Sequence, residues 1–297
     1  MLDSYPKISI VTPCYKAEHL IEGTIKSILD QGYPNLEYIV LDGAGDDTAS
    51  ILRKYENKIH YWRSRPDEGQ YKAITEGFSI ATGEIFFWLN ADDMLLPKSL
   101  FVVAEVFARN PSLQWLSTLK PGAWDADGHL ASIDRIPGFS KEAFLDGAFL
   151  KSDGKKKAHW IQQESTFFTS ALWKKAGGKI PNYSLAGDFS LWCEFYRHAE
   201  LIGIDYPIAG FRHIEGQRSG DLKKYIEEAN HALNLLREDL NFKPKNNRIA
   251  QALLDLECAE KIPKIVRKLG YPAKKFYKPN ISKPRSEWAL SDYKFIP

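Results

Sequence analysis

Cysteine is scarce in this chain: Cys14, Cys193 and Cys258 are the only three in 297 residues, and no two have a paired spacing. An odd, scattered set excludes a disulfide framework and points to a reducing compartment. No stretch reaches the ~18 consecutive apolar residues of a membrane-spanning helix. The opening MLDSYPKISIVTP lacks a basic segment followed by an apolar one, so no secretory signal is read and a cytoplasmic location is expected. Internal repeats and low-complexity tracts are also missing. Neither sign of charge dominates, with 40 Lys and Arg against 38 Asp and Glu, a net charge of +2.

That balance hides an asymmetry. Residues 261–297 carry ten Lys and Arg against two acids, Glu287 and Asp292, so the tail is basic and the body mildly acidic. Such a tail is either a solvated face or one attracted to an anionic surface. The clustering of basic residues in the tail alone gives nucleic-acid binding little support. What is present is 44% hydrophobic, 13% aromatic and 26% charged, which excludes collagen, coiled coil and wholesale disorder. The length suits one large domain or one and a half. A chain of this size buries roughly three quarters of its unfolded surface and needs no metal or disulfide staple.

The first half alternates short apolar runs with helical patterns. Ile8 to Thr12 is a β-branched run, followed by a helical face of Leu20, Ile21, Ile25, Ile28 and Leu29 that stops before Gly32 and Pro34. Strands are expected at Leu36 to Asp42, Ile59 to Arg63 and Glu84 to Leu89. Helices are expected from Thr48 to Tyr55 with Asp47 as cap, from Gln70 to Ala81, and from Pro97 through Phe107. Strand–helix alternation implies βαβ units, hence an α/β fold with a mostly parallel sheet covered on both faces.

Beyond Leu113 the pattern loosens. Leu113 to Thr118 reads as a strand, Asp125 to Gly128 as a turn between extended runs, and Ser152 to Lys157 as an exposed loop. Ser170 is the expected cap of a helix ending at Gly177-Gly178, and Gly187-Asp188 precede a helix from Phe189 to His198. Asp221–Leu240 and Asn247–Leu269 read as two terminal helices, and the proline- and lysine-rich segment after Gly270 as irregular.

Ligands of open α/β sheets bind beyond the carboxyl ends of the strands. That places Thr12-Pro13-Cys14-Tyr15, Asp42 to Asp47, and Asn90 to Asp93 where chemistry is expected. The adjacent carboxylates Asp92 and Asp93 are costly unless a cation or donor compensates them, and hard oxygen ligands suit Mg²⁺ or Mn²⁺. The bland alternative is a pair of acids capping the helix after Pro97. Asp42 suits a nucleotide hydroxyl or base N–H, or merely a turn; Tyr15 could stack on a base or pack in the core. Gly43-Ala44-Gly45 lacks the third glycine of a dinucleotide fingerprint and follows the second strand. Asp188 is either a helix cap or a general base. His213, beside Arg212, suits a metal, a phosphate or a plain surface position.

Four stretches in order are more specific than any single residue. ISIVTPCYKAEHLIEGTIKSILDQGYPNLEYIVLDGAGDDT, SRPDEGQYKAITEGFSIATGEIFFWLNADDMLLP, IQQESTFFTSALWKKAGG and AGDFSLWCEF together resemble glycosyltransferase family 2, the inverting sugar transferases of GT-A fold. The resemblance covers about residues 6–220 and is strongest to bacterial O-antigen and surface-polysaccharide enzymes. It implies a GT-A, Rossmann-like sheet in a catalytic domain at 1–220, with a donor half to about 118 and an acceptor half from 119. A helical, basic extension at 221–297 follows.

The resemblance also implies roles. Pro13, Tyr15 and Asp42 line the nucleobase pocket; Asp67 and Lys72 lie near the nucleotide and its diphosphate. Asn90 and Asp92 belong to the nucleotide-sugar site, Asp92 holding the ribose or assisting the metal. Asp93 ligates the divalent ion, Mn²⁺ or Mg²⁺, with His213 as an auxiliary ligand. Asp188 is the base, and Gln163 and Trp192 lie on the acceptor side. The family's Asp-Gly-Gly-Ser-x-Asp turn reads Asp-Gly-Ala-Gly-Asp-Asp here, and its His-Gln reads Gln162-Gln163. Glu68 follows Asp67 where relatives often carry a Lys.

The implied donor is a nucleotide-diphosphate sugar, a UDP-sugar first of all, and the acceptor a glycan or lipid-linked glycan. One in-line displacement with a single base would invert the anomeric centre, with no covalent nucleophile. Two other classes compete. A catalytically inactive nucleotide-sugar-binding subunit would not require Asp42, Asp93 and Asp188 together. A nucleotidyltransferase would need a glycine-rich loop after the first strand, and TPCYKAEH contains no glycine. A peripheral membrane contact is expected from the tail. Ile262, Ile265, Val266 and Leu269 make an apolar stripe beside lysines and arginine, followed by Trp288, Tyr293 and Phe295. The same stripe could instead pack on the domain.

Overall fold

The computed structural model describes residues 4–150, 159–215, 221–245, 263–280, 282 and 286–297. The expected βαβ units form: β1 (Ile8–Cys14), α1 (Ile21–Leu29), β2 (Leu36–Asp42), α2 (Thr48–Lys54), β3 (Tyr61–Ser64), α3 (Gln70–Ile80) and β4 (Ile85–Trp88). Next come β5 (Met94–Leu95), α4 (Ser99–Arg109), β6 (Trp115–Thr118), β7 (Gly122–Trp124), β8 (Leu130–Ile133) and α5 (Lys141–Leu145). A 3-10 turn (Gln163–Ser165) leads into β9 (Thr166–Thr169), α6 (Ser170–Lys175), α7 (Gly187–His198), β10 (Ile202–Ile204) and β11 (Ala209–Arg212). The chain closes with α8 (Leu222–Asp239), α9 (Pro263–Leu269), β12 (Tyr271–Tyr277) and β13 (Ala289–Phe295).

Nine strands form one sheet in the order β13-β12-β10-β6-β9-β4-β1-β2-β3. β1 pairs in parallel with both β2 and β4, and β10 with β6 and β12; β9 runs antiparallel between β4 and β6. A second sheet, β5-β11-β7-β8, sits beyond the carboxyl end of β4. β1 and β4 are buried at every position, as a strand covered on both faces must be. One face packs Val11, Ile39 and Trp88 with Trp115, Phe168 and Trp192; the other packs Ile10, Val40 and Phe87 with Ile25, Leu100 and Val103.

At the amino ends of the strands, Glu37 is 1% exposed and accepts from Lys7 Nζ (2.7 Å), Ser9 Oγ (2.5 Å) and both Thr82 N and Oγ1 (2.7 Å each). Burial alone would raise its pKa; these donors more than reverse that and hold it down to about 2.

Local expectations are corrected at four places. The amide of Thr48 is capped by Asp46 Oδ1 (2.9 Å), not by Asp47. Thr169, not Ser170, caps α6 by accepting from Leu172 N. α7 begins at Gly187, so Asp188 lies in its first turn. The segment after Gly270 is not irregular: β12 and β13 form an antiparallel hairpin along Tyr271 to Tyr277, and β12 extends the main sheet beyond β10. The stretch 221–297 is therefore helical only in part. The proline- and lysine-rich composition hid a hairpin that buries side chains on both faces of the sheet, Ala273 and Phe295 on one and Phe276 on the other. Most of the predicted helix Asn247–Leu269, the Ser152 to Lys157 loop and Cys258 lie outside the described residues.

Candidate active site

The carboxyl ends of β1, β2 and β4 open on one side of the sheet. β1 delivers Pro13, which is buried, and then Tyr15, which is 66% exposed with Lys16 Nζ over its ring, 5.4 Å from the centroid. β2 ends at Asp42, fully buried, whose Oδ1 accepts from Ala44 N (3.1 Å) and Oδ2 from Ser64 Oγ (2.6 Å). Its carboxylate thus secures the turn. Gly43 lies against Asp67: a Cβ there would sit 2.7 Å from the Asp67 carboxylate. Asp67 in turn is held by buried Arg63, which also pairs with Glu76 and donates to the Asp42 carbonyl (3.0 Å). Asp42 and Asp67, 25 positions apart, are thereby brought to one locus. Lys72 is exposed on the first turn of α3.

After β4 the chain turns through Asn90, Ala91, Asp92 and Asp93. Thr24 of α1 pins this turn, its hydroxyl reaching the carbonyls of both Ala91 and Asp93 (2.8 Å each). Asn90 Nδ2 donates to Asp93 Oδ2 (3.3 Å) and to Gln163 Oε1 (3.1 Å), while Asn90 Oδ1 accepts from Gln70 Nε2 (2.7 Å). Asp93 Oδ1 accepts from the amide of Arg212 at the end of β11 (2.9 Å). Asp93 is fully buried, and that burial, with the nearby charges of Glu164 and Asp92, pushes its carboxyl well above the usual range.

Glu164 completes the cluster. It lies in the 3-10 turn before β9 and is buried. Burial, joined by the charges of Asp188 and Asp92, pushes it up to about 7, against hydrogen bonds from its own amide and with the Asp93 carboxyl. Asp188 reaches the same region from the first turn of α7. Its Oδ1 is shielded from solvent without a hydrogen-bond partner among the described residues, and burial pushes its pKa up to about 6. Asp92, Asp93, Glu164 and Asp188, from three separate parts of the chain, are thus linked electrostatically through Glu164, with Asp93 and Glu164 buried and Asp92 and Asp188 partly buried. Neighbouring like charges raise one another's pKa, and a cation would relieve that repulsion. The donor set is hard oxygen, which fits Mn²⁺ or Mg²⁺.

Two expected acceptor-side residues belong to the scaffold, and His213 lies at the rim. Trp192, expected on the acceptor side, is 1% exposed and stacks on Trp88 in the core (centroids 5.6 Å apart), because the α7 face it occupies covers the sheet. Gln163 is buried and donates to the Trp88 carbonyl (2.7 Å), so it braces Asn90 rather than meeting solvent. His213 is exposed, its ring edge-on to Phe211 (5.1 Å), one residue past the amide that holds Asp93. The sequence reading missed Glu164, although it stands inside the IQQESTFF stretch, and missed Arg63 and the Arg212 amide, whose roles carry no local signal. The buried thiols of Cys14 and Cys193 are pushed far up by burial and are poor nucleophiles.

Comparison with known proteins agrees with this architecture. The chain is 29% identical over 206 residues to an uncharacterized glycosyltransferase of Mycobacterium tuberculosis, covering 68% of this chain and 71% of that one. It is 33% identical over 147 residues to the O-antigen biosynthesis protein RfbC of Myxococcus xanthus, covering 48% of this chain and 12% of that one. The crystal structure of Staphylococcus aureus TarS 1-349 in complex with UDP-GlcNAc superposes with a TM-score of 0.60 at 19% identity, covering 84% of this chain and 71% of that one. At that identity the likeness speaks for the GT-A fold alone. The model of glycosyl transferase family 2 matches residues 9–173, which span β1 to α6 and include Asp42, Asp93 and Glu164. With more than half of its length under that match, the chain belongs to glycosyltransferase family 2 and is a glycosyltransferase.

Proposed function

We propose that this enzyme moves a sugar from a nucleotide-diphosphate donor, a UDP-sugar in the first instance, to a hydroxyl of a glycan or lipid-linked glycan, with inversion. The observation that carries this reading is Asp188: a carboxylate with one oxygen unpartnered among the described residues, raised to about 6, and felt by Glu164, which also feels Asp92. In this reading Asp188 takes the proton of the acceptor hydroxyl as that oxygen attacks the anomeric carbon, and the nucleoside diphosphate leaves from the opposite face. Tyr15 and Pro13 flank the base, and Asp42 and Asp67 orient the nucleoside. Asp93, with Asp92, would hold the divalent ion, which when bound offsets charge on the departing diphosphate. His213 stays an auxiliary contact.

Assembly of a bacterial surface polysaccharide is the proposed setting, supported by the O-antigen protein among the relatives. Work at the cytoplasmic face of the membrane fits it. The membrane contact proposed for the tail is narrower than expected. Tyr293 donates to the Pro137 carbonyl (2.9 Å), Phe295 is buried, and Trp288 packs edge-on to Tyr206 (6.0 Å). These aromatics face the protein, which leaves Arg267, Lys268, Lys274 and Lys294, among the described residues of the tail, as exposed basic groups for an anionic leaflet. No described helix is long and apolar enough to cross a membrane.

The test is a thermal-shift screen of nucleotide sugars with Mn²⁺. A true donor at 100 times its dissociation constant adds about 2.7 kcal/mol of stability. The selected donor is then followed for nucleotide release with candidate acceptors. No shift with any nucleotide sugar, in the presence of metal, would refute the reading.

A further inference from the structure

We propose that Glu228, in the C-terminal helix α8, is a positioning residue for Asp188, clamping the loop Ser184–Ala186 from which α7 springs. The inference rests on the reading of Asp188 as the base.

The clamp is dense. The Glu228 carboxylate accepts from Ser184 N (3.2 Å), Ser184 Oγ (2.6 Å), Leu185 N (2.8 Å) and Ala186 N (2.9 Å). Asp188 follows two residues after the last of these. Burial by itself would raise the Glu228 pKa, but the donors of Ser184, Ala186 and Leu185 outweigh it and hold the group down to about 2. The clamp is therefore anionic wherever the enzyme works, and a negative charge at the amino end of α7 suits the helix dipole.

The opposite side of the loop is closed by the donor half. Tyr71, on α3, donates its hydroxyl to the Leu185 carbonyl (2.5 Å). Its ring lies so close to Gly187 that a Cβ there would stand 2.5 Å away. The residue pair ahead of Asp188 is thus gripped between α3 and α8, leaving the first turn of α7 little freedom. α8 itself is anchored by buried Ala229, Ala232, Leu233 and Leu236. One turn before Glu228 on the same face stands Tyr225, whose hydroxyl is within electrostatic reach of Asp188, Tyr71 and Glu164. α8 lies beyond residues 9–173 matched by the family model, as Asp188 itself does.

A general base acts only within hydrogen-bond reach of its proton, and a displacement near 1 Å can cost about 10²-fold in rate. Loss of the clamp should therefore reach kcat more than donor binding, since the Glu228 bonds hold the loop before Asp188 and touch none of Pro13, Tyr15, Asp42 or Asp67.

The experiment compares Glu228→Ala, Glu228→Gln, Asp188→Asn and Arg237→Ala in the full chain. Arg237 also ties α8 to the body, through Nε to the Leu145 carbonyl (2.7 Å), but far from Asp188. Turnover is read as UDP release from UDP-GlcNAc with Mn²⁺, and amide hydrogen exchange is read at residues 184–189. Glu228→Ala should lose exchange protection there and drop kcat by about 10- to 100-fold, with KM for the donor within about two-fold. Glu228→Gln should recover part of both, since its amide oxygen still accepts. Arg237→Ala should lower the melting temperature with kcat unchanged. Unaltered exchange at 184–186 in Glu228→Ala overturns the proposal, and so does wild-type kcat in that variant while Asp188→Asn is inactive. Equal loss of kcat in Arg237→Ala would reduce Glu228 to a general anchor. An active Asp188→Asn removes the base reading itself.

Discussion

Replacing Asp188 by Asn should disable the enzyme and stabilise it. The carboxyl is held near 6, about two units above a free aspartate, because folding shields it from water and gives its Oδ1 no donor. A carboxyl whose folded pKa is raised binds its proton more tightly in the folded state. Its stabilising effect is complete below the unfolded value near 4 and is lost as pH rises through about 6. At neutral pH the ionised side chain costs the fold about 1–3 kcal/mol, since each pKa unit is about 1.4 kcal/mol and the side chain is partly exposed. Asn carries no such charge. The Asn variant should therefore melt about 2 to 8 °C above wild type at pH 7.5, with the gap shrinking toward zero by pH 4. Turnover should fall by about 10²-fold or more. Wild-type turnover should fall about ten-fold between pH 7 and pH 5, as the base is protonated. Thermal melts across the pH series and a nucleotide-release assay measure all three. A melting difference that is flat from pH 4 to 7, or turnover in the Asn variant within a few-fold of wild type, would refute the reasoning.

The remaining predictions concern the metal, the buried acid network and the tail. Asp93→Asn should fold but lose the Mn²⁺-induced rise in melting temperature seen with UDP, because the buried oxygen donor is gone; an undiminished rise would take Asp93 out of the metal site. Glu37→Gln should melt below wild type at neutral pH. Glu37 is depressed to about 2, so its stabilising effect is present above about 4.5 and is lost as pH falls from there toward 2. The two proteins should therefore converge in that window, and parallel melting curves at every pH would contradict the network. A chain ending at Gly270 should be poorly soluble, since removal of β12 and β13 bares the edge of β10 and uncovers the site of Phe295. Size-exclusion chromatography showing a stable, soluble monomer would count against the hairpin as part of the sheet.

The local pattern carried the fold because the strands of the donor half are covered on both faces and the helices on one. That gives continuous apolar runs for β1, β2 and β4 and a 3.6-residue stripe for α1, each readable without knowing its neighbours. The strand ends then named Asp42, Asp92 and Asp93 through a rule of topology. The C-terminal hairpin was hidden because its buried positions, Ala273 and Phe276, are three apart and face opposite sides of the sheet, so they leave no period-2 signal among the lysines and the proline; only pairing with β10 reveals the strand.

The sequence by itself determined the α/β alternation, the family and the carboxylates after β2 and β4, since each depends on residues adjacent in the chain. Tertiary structure alone decided which of those groups meet. It set Glu164 and Asp188 against Asp92 and Asp93, turned Trp192 into the core and Gln163 onto Asn90, and brought Glu228 to the loop before α7. The reason is physical. A pKa, a hydrogen bond or a buried ring depends on distance and on water exclusion, and between residues tens of positions apart both are fixed only when the sheet and its helices have packed.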